Sequence, residues 1–244
     1  MLFRSKKADR LQVPTQAVAR AVAAELKKGD DRVRTIPYPL PFSIPSDVPL
    51  ADRPKRILFT GRIHPEKGVL ELLQAWQAMD DSHRDDWTLR LVGPWREEDG
   101  GGGKTFLNKL KNMGGSSVEI CDPVFNQSDL IKEYQSARIF VYPSLAKKGE
   151  TFGLAVLEAM SCGCVPLVSS LPCFDDFIKE GINGSRIGVD SLDGVEKLSQ
   201  ALCALLTCAS LEEKSQLAIQ TAKDYETGKI AEIFLADFNE MLSS

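Results

Sequence analysis

Strand-like apolar runs alternate with stretches of helical periodicity from residue 56 onward. Parallel strands joined by right-handed helical crossovers give this order, so the sequence predicts an α/β fold with a doubly wound, Rossmann-like parallel sheet. The predicted strands span residues 56–60, 87–92, 118–121, 138–142 and 165–169, with a short sixth near 185–188. The predicted helices lie at about 68–79, 105–112, 128–135, 152–160 and 174–180. In such a sheet, ligands bind at the carboxyl ends of the strands.

Composition narrows the class of protein. With 244 residues and 43% hydrophobic content, the chain can bury one substantial core and a smaller appendage. No apolar run approaches the roughly 20 residues that span a bilayer, and the opening residues lack the hydrophobic segment of a signal peptide, so we expect a cytoplasmic protein. A net charge of −4 argues against a nucleic-acid partner. The six cysteines show no CxxC spacing, so we expect most to be reduced and buried.

Two glutamates flank a glycine-bearing turn into an apolar helix. Glu150 lies in the loop, Gly153 in the turn and Glu158 eight positions after Glu150. The first turn of a helix offers free backbone N–H groups and a positive dipole end, which suit phosphate. This arrangement fits a ligand with hydroxyls at both ends and a diphosphate between, such as a nucleotide-sugar. The spacing alone is weak evidence, because a chain with 34 acidic residues contains many such pairs by chance.

A second strand-to-helix turn carries two cations, Arg62 and Lys67. The planar fork of arginine and the mobile ammonium of lysine both suit phosphate oxygens. The alternative is a surface salt bridge with Glu66 or Glu71. Because both turns follow strands of one parallel sheet, we expect them to open onto the same edge.

These segments resemble motifs of family 4 of the glycosyltransferases, which are retaining enzymes of the GT-B fold. Residues 149–160 resemble the family's paired-glutamate signature, and residues 57–68 its Gly-Arg and Lys-Gly strand-to-helix turn. Weaker similarities at 89–93, 118–124 and 180–184 follow in the family's order, so the resemblance covers roughly residues 56–206. It implies one half of a GT-B fold that transfers a sugar from a nucleoside-diphosphate-sugar to an acceptor.

The resemblance also implies roles for individual residues. Arg62 and Lys67 would bind the donor diphosphate and, with Glu150 on the sugar hydroxyls, form the catalytic group. Glu158 would accept hydrogen bonds from the ribose. The full predicted donor-binding set is Gly61, Arg62, Lys67, Pro123, Val124, Glu150, Phe152, Gly153, Leu154 and Glu158, in which residues 123 and 124 lie by the base and the amides of 152–154 by the phosphate or sugar.

We expect neither a cofactor nor a metal. The chain has no Asp-x-Asp metal motif, so cations and a helix dipole would replace a divalent ion at the leaving group. His64 and His83 are expected to be solvated rather than catalytic. The glycine run at 99–104 lacks the ending of a phosphate-binding loop, so we interpret it as a flexible surface loop.

The ends of the chain predict a divided organisation. Residues 1–36 resemble the last strand and helix of the other GT-B domain, with the helix reaching Lys28. Residues 37–55 form a proline-rich connector, 56–226 the Rossmann-like nucleotide-sugar domain and 227–244 the helix that crosses back. The partner would be an N-terminal GT-B domain, in cis or in trans. That domain would build most of the site for a glycan, lipid-linked or small-molecule acceptor, and any peripheral membrane association would come through it.

Other classes of function stay open at this point. One alternative is a non-catalytic module or subunit that captures a nucleotide-sugar. An exposed apolar side on residues 230–241 would favour a missing partner domain. A GT-B relative of another class, such as an epimerase or a phosphorylase, is disfavoured by the Glu150/Glu158 pattern. No lysine context indicates pyridoxal phosphate.

Overall fold

The computed structural model describes residues 8–26, 32–84, 86–147 and 149–243. Its strands are β1 (Leu11–Val13), β2 (Val33–Thr35), β3 (Arg56–Thr60), β4 (Thr88–Val92), β5 (Val118–Cys121), β6 (Ile139–Tyr142), β7 (Val165–Ser169) and β8 (Ser185–Ile187). Its helices are α1 (Gln16–Glu25), α2 (Val69–Ala78), α3 (Asp81–Arg84), α4 (Gly103–Gly114), α5 (Gln127–Gln135), α6 (Leu154–Ser161), α7 (Gly194–Leu206), α8 (Leu211–Ala222) and α9 (Thr227–Leu242).

The main sheet has six parallel strands in the order β5-β4-β3-β6-β7-β8. Counted from β3, this is the strand order of the doubly wound Rossmann fold, so the predicted fold class is confirmed. The order reverses between β3 and β6, where Ile57 pairs with Ile139. Ligands of such sheets bind in the crevice outside the carboxyl ends of the strands at this switch point.

The core lies on both faces of this sheet. Every residue of β6 and β7 is buried, as expected of parallel strands covered by helices on two sides. Trp76 of α2 is fully buried in this core, and its indole N–H donates to Ser117 Oγ, just before β5, at 3.1 Å. Burying apolar area of this kind stabilises the fold by roughly 25 cal/mol per Å². The loops at the carboxyl edge are therefore anchored to strands that are packed on both faces.

One predicted helix does not form. Residues 174–180 contain no α-helix; a 3₁₀ turn at Pro172–Phe174 is followed by turns. The buried side chain of Asn183 explains the difference, because its Oδ1 accepts from the Lys179 N–H at 2.8 Å and its Nδ2 donates to the Phe177 carbonyl at 2.9 Å. A side chain that satisfies backbone groups in this way competes with helix formation.

A small β1–α1–β2 unit precedes the main sheet. β1 and β2 pair in parallel, with Leu11 opposite Val33. The strand and helix predicted here are present, and β2 was not predicted. Residues 1–7 and 27–31 lie outside the described residues, so the helix expected to reach Lys28 is seen to Glu25. The predicted domain boundaries stay predictions.

Helix α9 packs against this unit through a buried acid. Asp237 is 6% exposed, accepts from Gln12 Nε2 at 3.2 Å and lies 3.7 Å from Arg10 Nε and 3.5 Å from Arg34 Nε. These contacts explain why an Asp interrupts the apolar pattern of the helix. The large apolar residues that are exposed on α9 are Ile233, Leu235, Phe238, Met241 and Leu242. None of the described helices is both long and apolar enough to cross a membrane.

The six cysteines are free thiols, but three of them, rather than most, are buried. Cys162, Cys164 and Cys173 are buried and the other three are partly exposed. Burial raises the pKa of each buried thiol to about 12. These cysteines therefore act as small apolar fillers of the core.

Candidate functional site

The two motif-bearing loops meet at the switch point of the sheet. Lys67 closes the 3₁₀ turn Pro65–Lys67 after β3, and its Nζ donates to Glu150 Oε2 at 2.7 Å across 83 positions of sequence. Lys67 is only 9% exposed. The structure thus brings together two of the residues predicted to form the site, as an ion pair largely shielded from solvent.

Tyr142, the last residue of β6, orients this ion pair. Its hydroxyl donates to the same Glu150 Oε2 at 3.0 Å, and Lys67 Nζ lies 5.3 Å from the centre of its ring. Burial and the charge of Glu150 raise the pKa of Tyr142, so the phenol keeps its proton and remains a donor. Glu150 Oε2 therefore accepts two hydrogen bonds, one from the Lys67 ammonium and one from the neutral Tyr142 hydroxyl.

Arg62 lies at the same edge and is already engaged. Its Nη1 donates to the Gly100 carbonyl at 2.9 Å, and its Nη2 pairs with Glu66. The salt bridge to Glu66 that we considered as the alternative is therefore present. Both side chains are about 40% exposed, at 41% and 40%, and an exposed pair of this kind contributes little to stability. The guanidinium can exchange Glu66 for another anion at small cost.

The glycine run differs from the flexible surface loop that we expected. Gly101 and Gly103 are buried, and the N–H of Gly102 donates to the Ile63 carbonyl at 2.8 Å. The N–H of Gly103 donates to the Trp95 carbonyl at 2.8 Å. A Cβ at Gly101 would lie 2.2 Å from the Trp95 carbonyl carbon, and Gly103 has a φ of +81° in the left-handed region, which accounts for these two glycines. The loop packs against the Arg62 segment and supports that arginine.

A separate cavity of about 190 Å³ opens at the carboxyl ends of β3 and β4. Four predicted donor-binding residues lie in its wall, namely Gly61, Pro123, Val124 and Glu158. The other lining residues are Thr60, Val92, Gly93, Pro94, Phe125, Leu130, Tyr134 and Ala155. Mostly apolar walls with one carboxylate are a lining that small-molecule sites commonly have, although this cavity is smaller than most of them.

Three elements converge on the carboxylate of this cavity. Tyr134 of α5 donates its hydroxyl proton to Glu158 Oε2 at 2.8 Å and lies 3.0 Å from Thr60 Oγ1. Since tyrosine has a single hydroxyl proton, Thr60 must be the donor in the second bond. Tyr134 is 1% exposed, and burial raises its pKa well above the usual value. Burial also raises the pKa of Glu158, and the bond from Tyr134 opposes that rise.

The start of α6 depends on Gly153. Its φ of +85° is in the left-handed region, and a Cβ there would overlap the Phe174 ring. Phe152 is buried against Tyr38, with ring centres 5.4 Å apart, and Leu154 begins the helix. The first N–H groups of a helix have no i−4 partner within it, and here the Val156 N–H donates to the Gly153 carbonyl at 2.9 Å. The assignment of phosphate binding to this turn stays a prediction.

The two histidines have local roles. His64 Nδ1 accepts from the Glu66 N–H at 3.2 Å and so caps the 3₁₀ turn that carries Lys67. His83 is exposed on α3. Across the described ranges, no group of three or more His, Cys, Asp or Glu side chains is arranged to hold a metal ion.

Sequence reasoning missed Thr60, Tyr134, Tyr142 and the Gly100 carbonyl. For Thr60 and Tyr142 a usable signal exists, since each is a hydroxyl residue that closes an otherwise apolar strand. Tyr134 carries no comparable signal, because an aromatic residue on a helix normally indicates core. A carbonyl leaves no side-chain signature at all.

The family model described as glycosyl transferases, group 1, matches residues 54–208. An uncharacterized glycosyltransferase of Methanocaldococcus jannaschii is 31% identical over 134 residues, covering 54% of this chain and 32% of that protein. A phosphatidyl-myo-inositol mannosyltransferase of Mycobacterium leprae is 27% identical over 194 residues, covering 78% of this chain and 48% of that protein. The chain thus spans about a third to about a half of the length of these relatives.

Solved structures share the fold. The pneumococcal O-GlcNAc transferase GtfA, in complex with UDP and GlcNAc, superimposes with a TM-score of 0.75 at 20% identity, covering 99% of this chain and 47% of that chain. This likeness confirms the Rossmann-like half of a GT-B architecture, and the family match extends over more than half of the chain. The protein therefore belongs to the group 1 glycosyl transferases, the family 4 type that its motifs resemble.

Proposed function

We propose that this chain supplies the nucleotide-sugar site of a retaining glycosyltransferase. The observation that carries the proposal is the convergence, at the switch point of the sheet, of the Lys67–Glu150 ion pair, the cation Arg62 and the Glu158 cavity. Arg62 and Lys67 bind the diphosphate together with the first-turn amides of Phe152, Gly153 and Leu154. The structure supports this assignment through the position of these groups, which is where doubly wound sheets bind nucleotides.

Each end of the donor has a proposed contact. The base lies by Pro123 and Val124, and Glu158 accepts from the ribose hydroxyls through the oxygen that Tyr134 leaves free. Glu150 turns from Lys67 to the hydroxyls of the transferred sugar. These roles require acceptors, and both carboxylates are acceptors when ionised.

Catalysis rests on charge rather than on proton transfer by either glutamate. As the bond between sugar and phosphate breaks, negative charge grows on the departing diphosphate. Arg62 and Lys67 stabilise this charge more strongly in the transition state than in the ground state. We propose that these cations and the α6 dipole make a divalent metal unnecessary. Activity that EDTA abolishes would overturn this part.

Calorimetric titration with UDP, GDP and ADP tests the site. We expect at least one to bind below millimolar, and Arg62→Ala or Lys67→Ala to weaken it about tenfold or more, since a hydrogen bond to a charged group contributes about 1.5–3 kcal/mol. Lys132→Ala is the matched control, because Lys132 pairs with Asp129 on an exposed helix face. Absence of binding, or equal loss in the control, contradicts the assignment.

A partner domain completes the enzyme in this proposal. The exposed apolar residues of α9 and the absence of buried residues on α1 support a domain that packs there. The acceptor in this proposal is a glycan, a lipid-linked sugar or a small molecule; the mycobacterial relative is named as a phosphatidyl-myo-inositol mannosyltransferase. A turnover assay with and without a supplied N-terminal domain, in cis or in trans, separates a split enzyme from a binding module. Nucleoside diphosphate released only in the reconstituted sample supports the enzyme, and absence of release in both supports the module.

A further inference from the structure

A second enclosed space lies at the other half of the sheet edge, beyond Glu150. The loops that follow β6, β7 and β8 surround a cavity of about 410 Å³, which is in the range of about 300–1,000 Å³ typical of small-molecule sites. Ser144, Ser169 and Val189 lie in its wall. None of the motifs assigned to the donor contributes to it.

Ser169 gives this cavity an unmet hydrogen-bonding requirement. It closes β7 and is 4% exposed, and within the described chain its Oγ has no hydrogen-bond partner. Ser144, on the same wall, is 1% exposed. A buried hydroxyl without a partner is unfavourable, so a native structure that retains one calls for an explanation. A hydroxyl of a bound ligand supplies one.

The rim of the cavity is charged while its wall is partly apolar. Lys147 Nζ lies 2.5 Å from Asp190 Oδ2, and both side chains are largely exposed. Val189 and Leu145 present apolar surface. Apolar contact for one ring face, buried hydroxyls and charged hydrogen-bonding groups at the edge are the requirements of a pyranose ring.

The position of the cavity indicates which sugar it receives. Lys147 and Pro172 also line a wider cleft of about 700 Å³ whose wall includes Glu150 and residues of α1. The cavity therefore opens beside the carboxylate that, in the proposed function, holds the transferred sugar. We propose that it binds a pyranose unit of the acceptor, so that the donor half contributes part of the acceptor site. This inference rests on the proposed function.

Amide chemical shifts of the ¹⁵N-labelled chain test the proposal, with methyl α-D-mannopyranoside and methyl α-D-glucopyranoside as probes. With the nucleoside diphosphate that binds best present, we expect saturable shifts at Ser169 and Val189 in the millimolar range. Ser169→Ala should weaken the binding about three- to tenfold by removing one hydrogen bond. Val189→Trp should abolish it by filling the cavity, whereas Ile182→Trp at an exposed position should leave it unchanged.

The arms of the experiment separate the outcomes. Absence of saturable shifts, or shifts that survive both Ser169→Ala and Val189→Trp, overturns the proposal. Displacement of the glycoside by UDP-glucose, UDP-N-acetylglucosamine or GDP-mannose, but not by the nucleoside diphosphate, assigns the cavity to the donor sugar and overturns the acceptor role. Titration of the same variants with nucleoside diphosphate reports on the proposed function separately and verifies that each variant is folded.

Discussion

Replacing Tyr134 with phenylalanine isolates the hydrogen-bond chain that holds Glu158. The change removes one hydroxyl and keeps the buried ring. It deletes the bond donated to Glu158 Oε2 at 2.8 Å and leaves the buried Thr60 hydroxyl without its 3.0 Å acceptor. The ring contact with Phe140, at 5.8 Å between centres, is kept. Loss of stability in this variant therefore reports on the hydrogen bonds alone.

The expected cost follows from the two bonds. A bond to a charged acceptor contributes about 1.5–3 kcal/mol and one between neutral groups about 0.5–1.5 kcal/mol. Glu158 is partly exposed, so water recovers some of this loss and we expect a destabilisation of about 2 kcal/mol. For a chain of this size that lowers Tm by about 4–8 °C. Affinity for the nucleoside diphosphate should fall as well, because Glu158 is no longer oriented.

Urea unfolding and calorimetry measure the two effects. Tyr225→Phe is the matched control, since the Tyr225 hydroxyl makes only a 3.5 Å contact with the Asp176 carbonyl. We expect that control to stay within about 0.5 kcal/mol of the natural chain. A double-mutant cycle with Glu158→Gln should give a coupling of about 1 kcal/mol or more. A Tyr134→Phe protein as stable as the control, or additive effects in the cycle, would refute the reasoning.

Three further predictions concern single positions. Burial raises the pKa of Glu158, so the protonated carboxyl stabilises the folded state below the ordinary pKa of 4.5, and this stability is lost as pH rises through the folded pKa. Glu158→Gln should therefore raise Tm near neutral pH and lose that gain at about pH 4, which thermal melts at several pH values measure. Gly153→Ala should cost about 2 kcal/mol or more in urea unfolding, whereas Gly188→Ala, which meets open space, should cost little. Asp237→Asn should lower hydrogen-exchange protection in α9 roughly tenfold or more without affecting β6, because it removes a buried charge from its arginine partners.

The central strands could be predicted because burial on both faces imposes a continuous apolar run. Residues 56–60 and 165–169 match β3 and β7 in full. The positions of Lys67 and Glu150 could also be predicted, since a parallel sheet brings its strand-to-helix turns to one edge. Their side chains are 2.7 Å apart, as expected if the two turns lie at the same edge of the sheet.

Features that depend on distant partners could not be predicted. The Thr60–Tyr134 contact joins residues 74 positions apart, and nothing in either local pattern indicates the other. The helix expected at 174–180 has acceptable helical residues, but Asn183 satisfies its backbone from outside the segment. The glycine run is a similar case, because its composition is that of a mobile loop while tertiary hydrogen bonds to Ile63 and Trp95 fix it.

The ion pairs at the switch point bear on how ligand binding responds to salt. Arg62 pairs with Glu66, and Lys67 pairs with Glu150. At an open cationic surface, a diphosphate displaces anions from solution. Here a diphosphate that binds to Arg62 and Lys67 would instead displace the carboxylates of Glu66 and Glu150. The affinity of the diphosphate should therefore depend less on ionic strength than its affinity for two exposed, unpaired cations would. In the proposed function, the Glu150 carboxylate that Lys67 releases is then free to accept hydrogen bonds from the sugar hydroxyls.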